Sequence, residues 1–342
     1  MKKYFRALVI TSIVLIYLII IAGAVVRMTG SGMGCPDWPK CFGYYIPPTS
    51  EAQIQWQPRT AYREGMIVIV KESLRVSTRN FTSLEVYQPT NWEVYTKHDY
   101  AKFNVWHTWI EYINRLVTVL SGIPILLMFI FSFTFWKEKK LIPILSTLII
   151  IAMLFQAWLG KIVVDSNLLP IRITVHMIVA FIILAVLLFV LYLTKERITS
   201  NRYSTVFKTI LVFSVSLTLI QVALGTQVRQ HVDEQIKTFG EFAKSTWLHP
   251  PTLSFYIHRS FSIIIVLING WLFWQHKKLQ LALSKLNWVL ILIALEAFTG
   301  ILMFYFDFPF LSQPLHLVLS SLLFGVQFFI FLEVFKNKAW ES

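Results

Sequence analysis

Charge is scarce in this 342-residue sequence. Asp, Glu, Lys and Arg together make up 14% of it, with 18 acids against 31 bases, and there are two cysteines. So little charge excludes a soluble globule of ordinary make-up. The shortage of cysteine and histidine around Cys35 and Cys41 makes zinc a poor reading of that pair, because nothing nearby supplies the remaining ligands. A structural disulfide is the plainer reading and a redox-active pair the sharper one; a Pro-rich turn brings positions six apart together. No strand precedes the glycines of Thr29-Gly-Ser-Gly-Met-Gly34, so the dinucleotide-binding context is absent and a tight turn is expected instead.

What is abundant is apolar: 56% hydrophobic residues, 15% aromatic, mean hydropathy +0.61. A helix of about 20 residues crosses a bilayer. Eight stretches qualify: roughly 6–26, 106–136, 141–164, 171–194, 206–228, 252–274, 286–306 and 312–335. The expected fold class is therefore all-α integral membrane, with eight transmembrane helices and both termini on one side. The apolar run at the start exceeds the usual signal-peptide core of about 7–15 residues, so it is read as a retained helix.

Short connections carry the bases. Lys2, Lys3 and Arg6, then Lys137, Lys139 and Lys140, then Lys195, Arg197 and Arg202, then Lys277, Lys278 and Lys285, and finally Lys336 and Lys338 all fall on one face. That face is expected to be cytoplasmic, in the inner membrane of a cell. The net charge of +13 is thus a topology signal, not a nucleic-acid footprint.

The chain repeats itself. Gly23…Arg27 closes the first span and Gly225…Arg229 the fifth; Asn114-Arg115 lies in the second and His258-Arg259 in the sixth. Gln156…Gly160 matches Glu296…Gly300, and His176 matches His316 at the same interval of sixteen. Two tandem four-helix bundles related by a pseudo-two-fold along the membrane normal follow, 1–204 and 205–342. The glycines are expected to allow close approach of a helix or a macrocycle. Residues 27–105 form a long outward loop holding the β-like run Met66–Val70, expected to be a small folded cap. Residues 229–251 are read as its short counterpart.

Ionisable groups at bilayer depth are costly and usually functional. Duplicated histidines in apolar helices read as ligands for a buried macrocycle, and haem iron is the natural candidate. His258 and His316 are the expected axial pair of a six-coordinate, electron-transferring haem in the second half. Arg229 and Arg259 are candidates for its propionates, with snorkelling to the interface as the plain alternative. The first half has His176 but Asn114 at the other ligand position. Either iron there is five-coordinate, or His107, two turns outward on the same face, joins it. Glu111 shares the stripe His107, Glu111, Asn114, Thr118. It is the candidate catalytic carboxyl, as proton donor or as counter-charge to a positive substrate. A structural pair with Arg115 is the alternative. Glu296 ranks lower, since its repeat partner Gln156 is neutral. His276 is expected to be solvated; His98, His231 and His249 are expected in outward segments. Lys161 and Arg172 suit an acidic contact or snorkelling equally.

Taken together, Gly23-Ala-Val-Val-Arg27-Met-Thr-Gly-Ser-Gly-Met-Gly-Cys35-Pro-Asp-Trp-Pro, Glu111-Tyr-Ile-x-Arg115 and the helices bearing His176, His258 and His316 resemble the haem A synthase family along essentially the whole chain. The resemblance implies an oxidoreductase that converts the C8 methyl of haem O to the formyl of haem A for terminal oxidases. It implies haem B on His258 and His316 in the second half. It places substrate haem O in the first half, near His176, Asn114, His107 and Arg115. It also implies a Cys35–Cys41 disulfide and a role for Glu111 in the oxidation. Implied partners are haem O and haem A, membrane lipid, haem O synthase, terminal oxidase assembly factors, an unidentified electron donor and a second copy of the chain. One departure matters: the family pattern Glu-x-x-His-Arg reads Glu-x-x-Asn-Arg here. Two rival readings, a non-enzymatic dihaem cytochrome and a haem carrier, predict that bound haem leaves chemically unchanged.

Overall fold

The computed structural model describes residues 2–96, 103–166, 168–195 and 203–335. His98, Arg197, Arg202, Lys336 and Lys338 lie outside the described residues. Among the described residues eight helices are long and apolar enough to span a membrane. They are α1 (Lys2–Met28), α2 (Val105–Ser132), α3 (Leu141–Asp165), α4 (Pro170–Leu193), α5 (Thr205–Phe239), α6 (Leu253–Lys278), α7 (Lys285–Tyr305) and α8 (Ser312–Val334). The chain is an all-α multi-pass membrane protein. The outer helix faces agree: Leu120, Ile123, Ile151, Leu154, Ile263 and Leu267 are all exposed, a hydrophobic belt that suits lipid and not water.

Local chemistry sets the helix starts. Asn104 Oδ1 accepts from the amides of Trp106 and His107, Ser204 Oγ from that of Phe207 and Thr252 Oγ1 from that of Phe255. Pro170 opens α4, where its missing N–H costs nothing.

In the first half α1 packs on α2 and α4, and α3 on α2 and α4. In the second, α5 packs on α6 and α8, and α7 on α6 and α8. Across the halves α1 and α4 touch α8, and α4 touches α5. One apolar core gathers Val9 and Ile13 of α1, Ile125 of α2, Ile149 of α3 and Leu184 of α4, and borrows Phe324 of α8. A second gathers Leu211, Ile265, Leu272, Val289, Leu323 and Ile330. At one end of the helices lie the basic connections: Lys2 pairs with Glu138, and Lys195 and Lys285 share Glu333.

The long loop between α1 and α2 is a folded cap. Strands β2 (Ile67–Val70), β3 (Ser73–Ser77) and β5 (Trp92–Val94) form an antiparallel sheet in the order β2-β3-β5, while β1 (Ala61–Tyr62) pairs with β4 (Phe81–Thr82). Lys71 and Glu72 turn β2 into β3 with left-handed backbone at both positions, as a two-residue hairpin requires. Side chains alternate across β2: Ile67 packs with Phe42, Ile54 and Leu74, whereas Val68 packs with Tyr62 and Trp92. The Cys35–Cys41 disulfide forms, with Cα atoms 4.6 Å apart.

Two expectations need correction. Helix α5 does not end near residue 228 but continues to Phe239. Val228, Val232 and Ile236 form a stripe at helical spacing that packs with Trp247, Leu248, Phe255 and Phe308, so burial extends the helix beyond its membrane-length run. His276 is not solvated: it lies within the last turn of α6, 8% exposed, and its Nδ1 accepts the amide of Leu283.

Candidate functional site

Each of the four repeat units sets a glycine of an odd helix against the histidine, or in the second helix the asparagine, at the repeat-equivalent place of the following even helix. A Cβ added at Gly225 would lie 3.1 Å from Cε1 of His258. At Gly160 it would lie 3.5 Å from Cε1 of His176, and at Gly300 3.9 Å from Cε1 of His316. At Gly23 it would lie 4.0 Å from Oδ1 of Asn114. Absence of a side chain on the odd helix is what lets each polar ring or amide tuck into its bundle. Asn114 therefore occupies a place structurally equivalent to that of the three histidines.

In the second half the His258 and His316 rings stand 6.3 Å apart, centre to centre, at 71°. Two metal–imidazole bonds of about 2 Å each, plus about 1 Å from each nitrogen to its ring centre, call for roughly this separation. His316 Nδ1 is 2.8 Å from Glu296 Oε2 and 2.8 Å from Thr299 Oγ1. The backbone carbonyl of His258 accepts from Gln221 Nε2 at 3.0 Å, and its Nδ1 is buried without a hydrogen-bond partner. Among the described residues no cluster of three or more His, Cys, Asp or Glu side chains is placed to hold a metal ion. A pair of imidazoles underfills a bare ion but completes one whose other four donors come from a tetrapyrrole.

The first half is built alike, with fewer donors. Gln156 Nε2 donates to the carbonyl of His176 at 2.9 Å, and His176 Nδ1 and Asn114 Oδ1 are buried without hydrogen-bond partners. His107 lies two turns before Asn114 on α2, half-buried, where the turn at Ser31–Met33 packs so closely that a Cβ on Gly34 would fall 2.5 Å from the His107 carbonyl carbon.

Glu111 and Arg115 are drawn into the disulfide loop. The buried Glu111 accepts the Cys35 amide on Oε2 at 2.8 Å and pairs with Arg115 through Oε1. Arg115 in turn donates to the carbonyls of Asp37 and Lys40, each at 3.0 Å, and of Cys35 at 3.5 Å. Thr108 adds a bond to the Gly34 carbonyl at 2.8 Å. The pairing of Glu111 with Arg115 is therefore present, with a loop bound to both.

Arg229 Nη2 pairs with Asp233 Oδ1 at 2.7 Å and donates to the Arg27 carbonyl at 3.1 Å, while Arg27 pairs with Asp233 Oδ2 at 2.9 Å. Nε and Nη1 of Arg229 remain buried without partners. Arg259 is exposed on α6. Lys161 pairs with Asp165 at 2.5 Å, Arg172 donates to the Ile162 carbonyl at 3.3 Å, and His249 packs on Phe304 with ring centres 5.2 Å apart. Residues that sequence reasoning passed over are Gln221, Thr299 and Asp233, and Arg27 entered it only as a marker of the repeat. A glutamine or glutamate four before the glycine in α3, α5 and α7 was the legible signal for Gln221.

Fold and sites together define a polytopic α-helical membrane protein that presents three histidines inside apolar bundles, two of them with ring centres 6.3 Å apart. Residues 6–328 match the family described as COX15-CtaA, cytochrome oxidase assembly protein, and the chain belongs to that family. A heme A synthase of Rickettsia prowazekii is 24% identical over 354 residues, covering 95% of this chain and 96% of the relative. One of Ehrlichia canis is 25% identical, covering 92% and 88%, and one of Flavobacterium johnsoniae is 22% identical, covering 94% and 96%.

Proposed function

We propose that this protein is a haem A synthase, an oxidoreductase that converts the C8 methyl group of haem O to the formyl group of haem A. The observation that carries this reading is the inequality of two like-built sites. The second offers two imidazoles 6.3 Å apart, whereas the first offers His176, set against Gly160, and at the other repeat-equivalent place the weakly ligating Asn114, set against Gly23. A pair of equal electron-carrying sites, as in a dihaem cytochrome, has no need of that difference.

In this reading the second half holds haem B between His258 and His316. The donor set, the spacing and the Gly225 cradle all fit such a group. Once bound, haem B supplies reversible one-electron transfer to the neighbouring site. Everything else is positioning by the chain. The apolar helices hold a ring too hydrophobic to leave the bilayer, and fix its methyl in one orientation. His176 is the firm ligand of the substrate haem, Asn114 stands at the repeat-equivalent place on α2, and His107 lies two turns farther out on the same face of that helix. Glu111 is the membrane-helix carboxylate bonded to the disulfide loop. With both oxygens already accepting, it serves as a fixed negative end that stabilises positive charge at the methyl carbon. Arg115 keeps it in place and ties down the loop. Arg229, with two unpartnered donor nitrogens, is the better placed of the two arginines for a propionate. The two halves act as two four-helix bundles, and the lysine-rich end carrying both termini faces the cytoplasm.

The test is co-expression with a source of haem O, followed by extraction and mass analysis of pigments with and without oxygen. Haem A appearing only when this chain and an oxidant are both present supports the reading. Pigment returned unchanged would sink it in favour of a carrier or a cytochrome.

A further inference from the structure

Gln156, Gln221 and Glu296 stand one turn before Gly160, Gly225 and Gly300. The two glutamines act alike, each amide donating to the backbone carbonyl of the histidine it faces. An ionised glutamate has no hydrogen to give, and Glu296 takes a different partner. Its Oε2 lies 2.8 Å from Nδ1 of the His316 ring itself. The Glu296 side chain is 14% exposed, and its other oxygen is buried without a hydrogen-bond partner. Among the described residues no Lys or Arg forms an ion pair with it. Of the three histidines at ligand positions, only His316 has a carboxylate behind its ring, since Nδ1 of both His176 and His258 lacks a partner.

Resting on the reading that His316 holds haem B, we propose that Glu296 is a positioning residue that sets the reduction potential of that haem by accepting the Nδ1–H of His316. Engaging Nδ1 fixes the tautomer and leaves Nε2 as the one ring nitrogen available to iron. A carboxylate accepting from the distal nitrogen makes the imidazole a stronger donor, as in carboxylate–histidine–metal arrangements. Stronger donation, with a buried negative charge close by, stabilises the oxidised iron over the reduced and lowers the potential. Thr299, also 2.8 Å from the same nitrogen, helps hold the ring plane. The repeat makes the point specific: the first half has the neutral Gln156 in this place, so the tuning belongs to the relay and not to the substrate site.

The experiment is a spectroelectrochemical titration of the full-length, haem-loaded protein in detergent, comparing wild type with Glu296→Gln, Glu296→Asp and Thr299→Val. At the wild-type midpoint the Gln variant is expected to show a ferrous-to-ferric ratio at least tenfold higher, which is about 59 mV for a one-electron couple. The Asp variant, with its carboxylate one methylene short, should shift the same way by less, and Thr299→Val should change the ratio less than about twofold. A purely structural role would lower haem content and leave the midpoint of the retained haem where it was. An unmoved midpoint in Glu296→Gln overturns the proposal. Should that variant fail to accumulate, an unmoved midpoint in Glu296→Asp does the same. Failure of the underlying reading looks different: His316→Leu would then keep the wild-type low-spin spectrum.

Discussion

The amide nitrogen of Cys35 donates to Glu111 Oε2 at 2.8 Å, joining the disulfide loop to the second membrane helix across 76 positions of sequence. Arg115 completes the junction by gripping Glu111 and three carbonyls of the same loop. The candidate catalytic carboxylate and the disulfide are therefore one mechanical unit.

Glu111→Ala would leave a mostly buried guanidinium and the Cys35 amide without their acceptor. Breaking a buried pair from one side costs about 3–5 kcal/mol. The variant should lose haem O conversion and also open its disulfide faster to a phosphine reductant. Glu111→Gln, which keeps an acceptor for the amide, should retain the loop yet lose most conversion. Equal conversion by Glu111→Gln and wild type would remove Glu111 from the chemistry.

Gly225→Ala puts a methyl 3.1 Å from His258 Cε1, tighter than ordinary contact, so the ring must move. Overpacking of this kind costs about 1–3 kcal/mol. Gly300→Ala, at 3.9 Å, meets ordinary contact with His316. Haem content per protein should therefore fall sharply in the first variant and little in the second, read from pyridine haemochrome spectra.

Asn114→His restores an imidazole at the position facing Gly23. The first-half site would then resemble the second, and bound haem O is expected to change to a six-coordinate low-spin spectrum. Resonance Raman of the substrate-loaded protein reads the change directly. No spectral difference from wild type would mean that the ring does not lie against this position.

Asp37 lies in the disulfide loop, outside the membrane helices, and accepts the amides of Phe42 at 2.6 Å and Gly43 at 2.8 Å. Burial raises its pKa above the ordinary carboxyl value of 3.8, outweighing those amides and Arg115, which lower it. A carboxyl with a folded pKa above its unfolded one contributes stability that is fully present below about pH 3.8 and lost as pH climbs through the raised value. Relative to Asp37→Asn, the wild-type loop should resist phosphine reduction better at pH 4 than at pH 7. Asp37→Ala should be weaker throughout, by about 1–3 kcal/mol for each amide left unsatisfied. A variant-to-wild-type ratio that stays flat with pH would refute the burial argument.

Much of the fold was legible because lipid imposes strong rules. Eight apolar runs of spanning length became eight helices, and all but the first residue of the run Met66–Val70 became the strand β2. The end of α5 was not legible, since hydropathy reports only the part of a helix in lipid. Residues Arg229–Phe239 are polar on average and are helical because Val232 finds Trp247 and Phe308. His276 was misread for a similar reason: its place beside a basic run suggested water, whereas the backbone folds Leu283 onto it.

By itself the sequence determined that this is a membrane protein of eight helices, that it carries an internal repeat, and that three histidines and one asparagine stand at equivalent places. Periodicity and hydropathy are local properties, and a chain states them directly. Only the tertiary structure decided the partners. It gave Glu296 to the ring of His316 and Gln221 to a backbone carbonyl, and it closed Arg115 over the disulfide loop. Such choices depend on which helix faces meet at 3 Å, and that is fixed by packing between segments dozens to hundreds of residues apart.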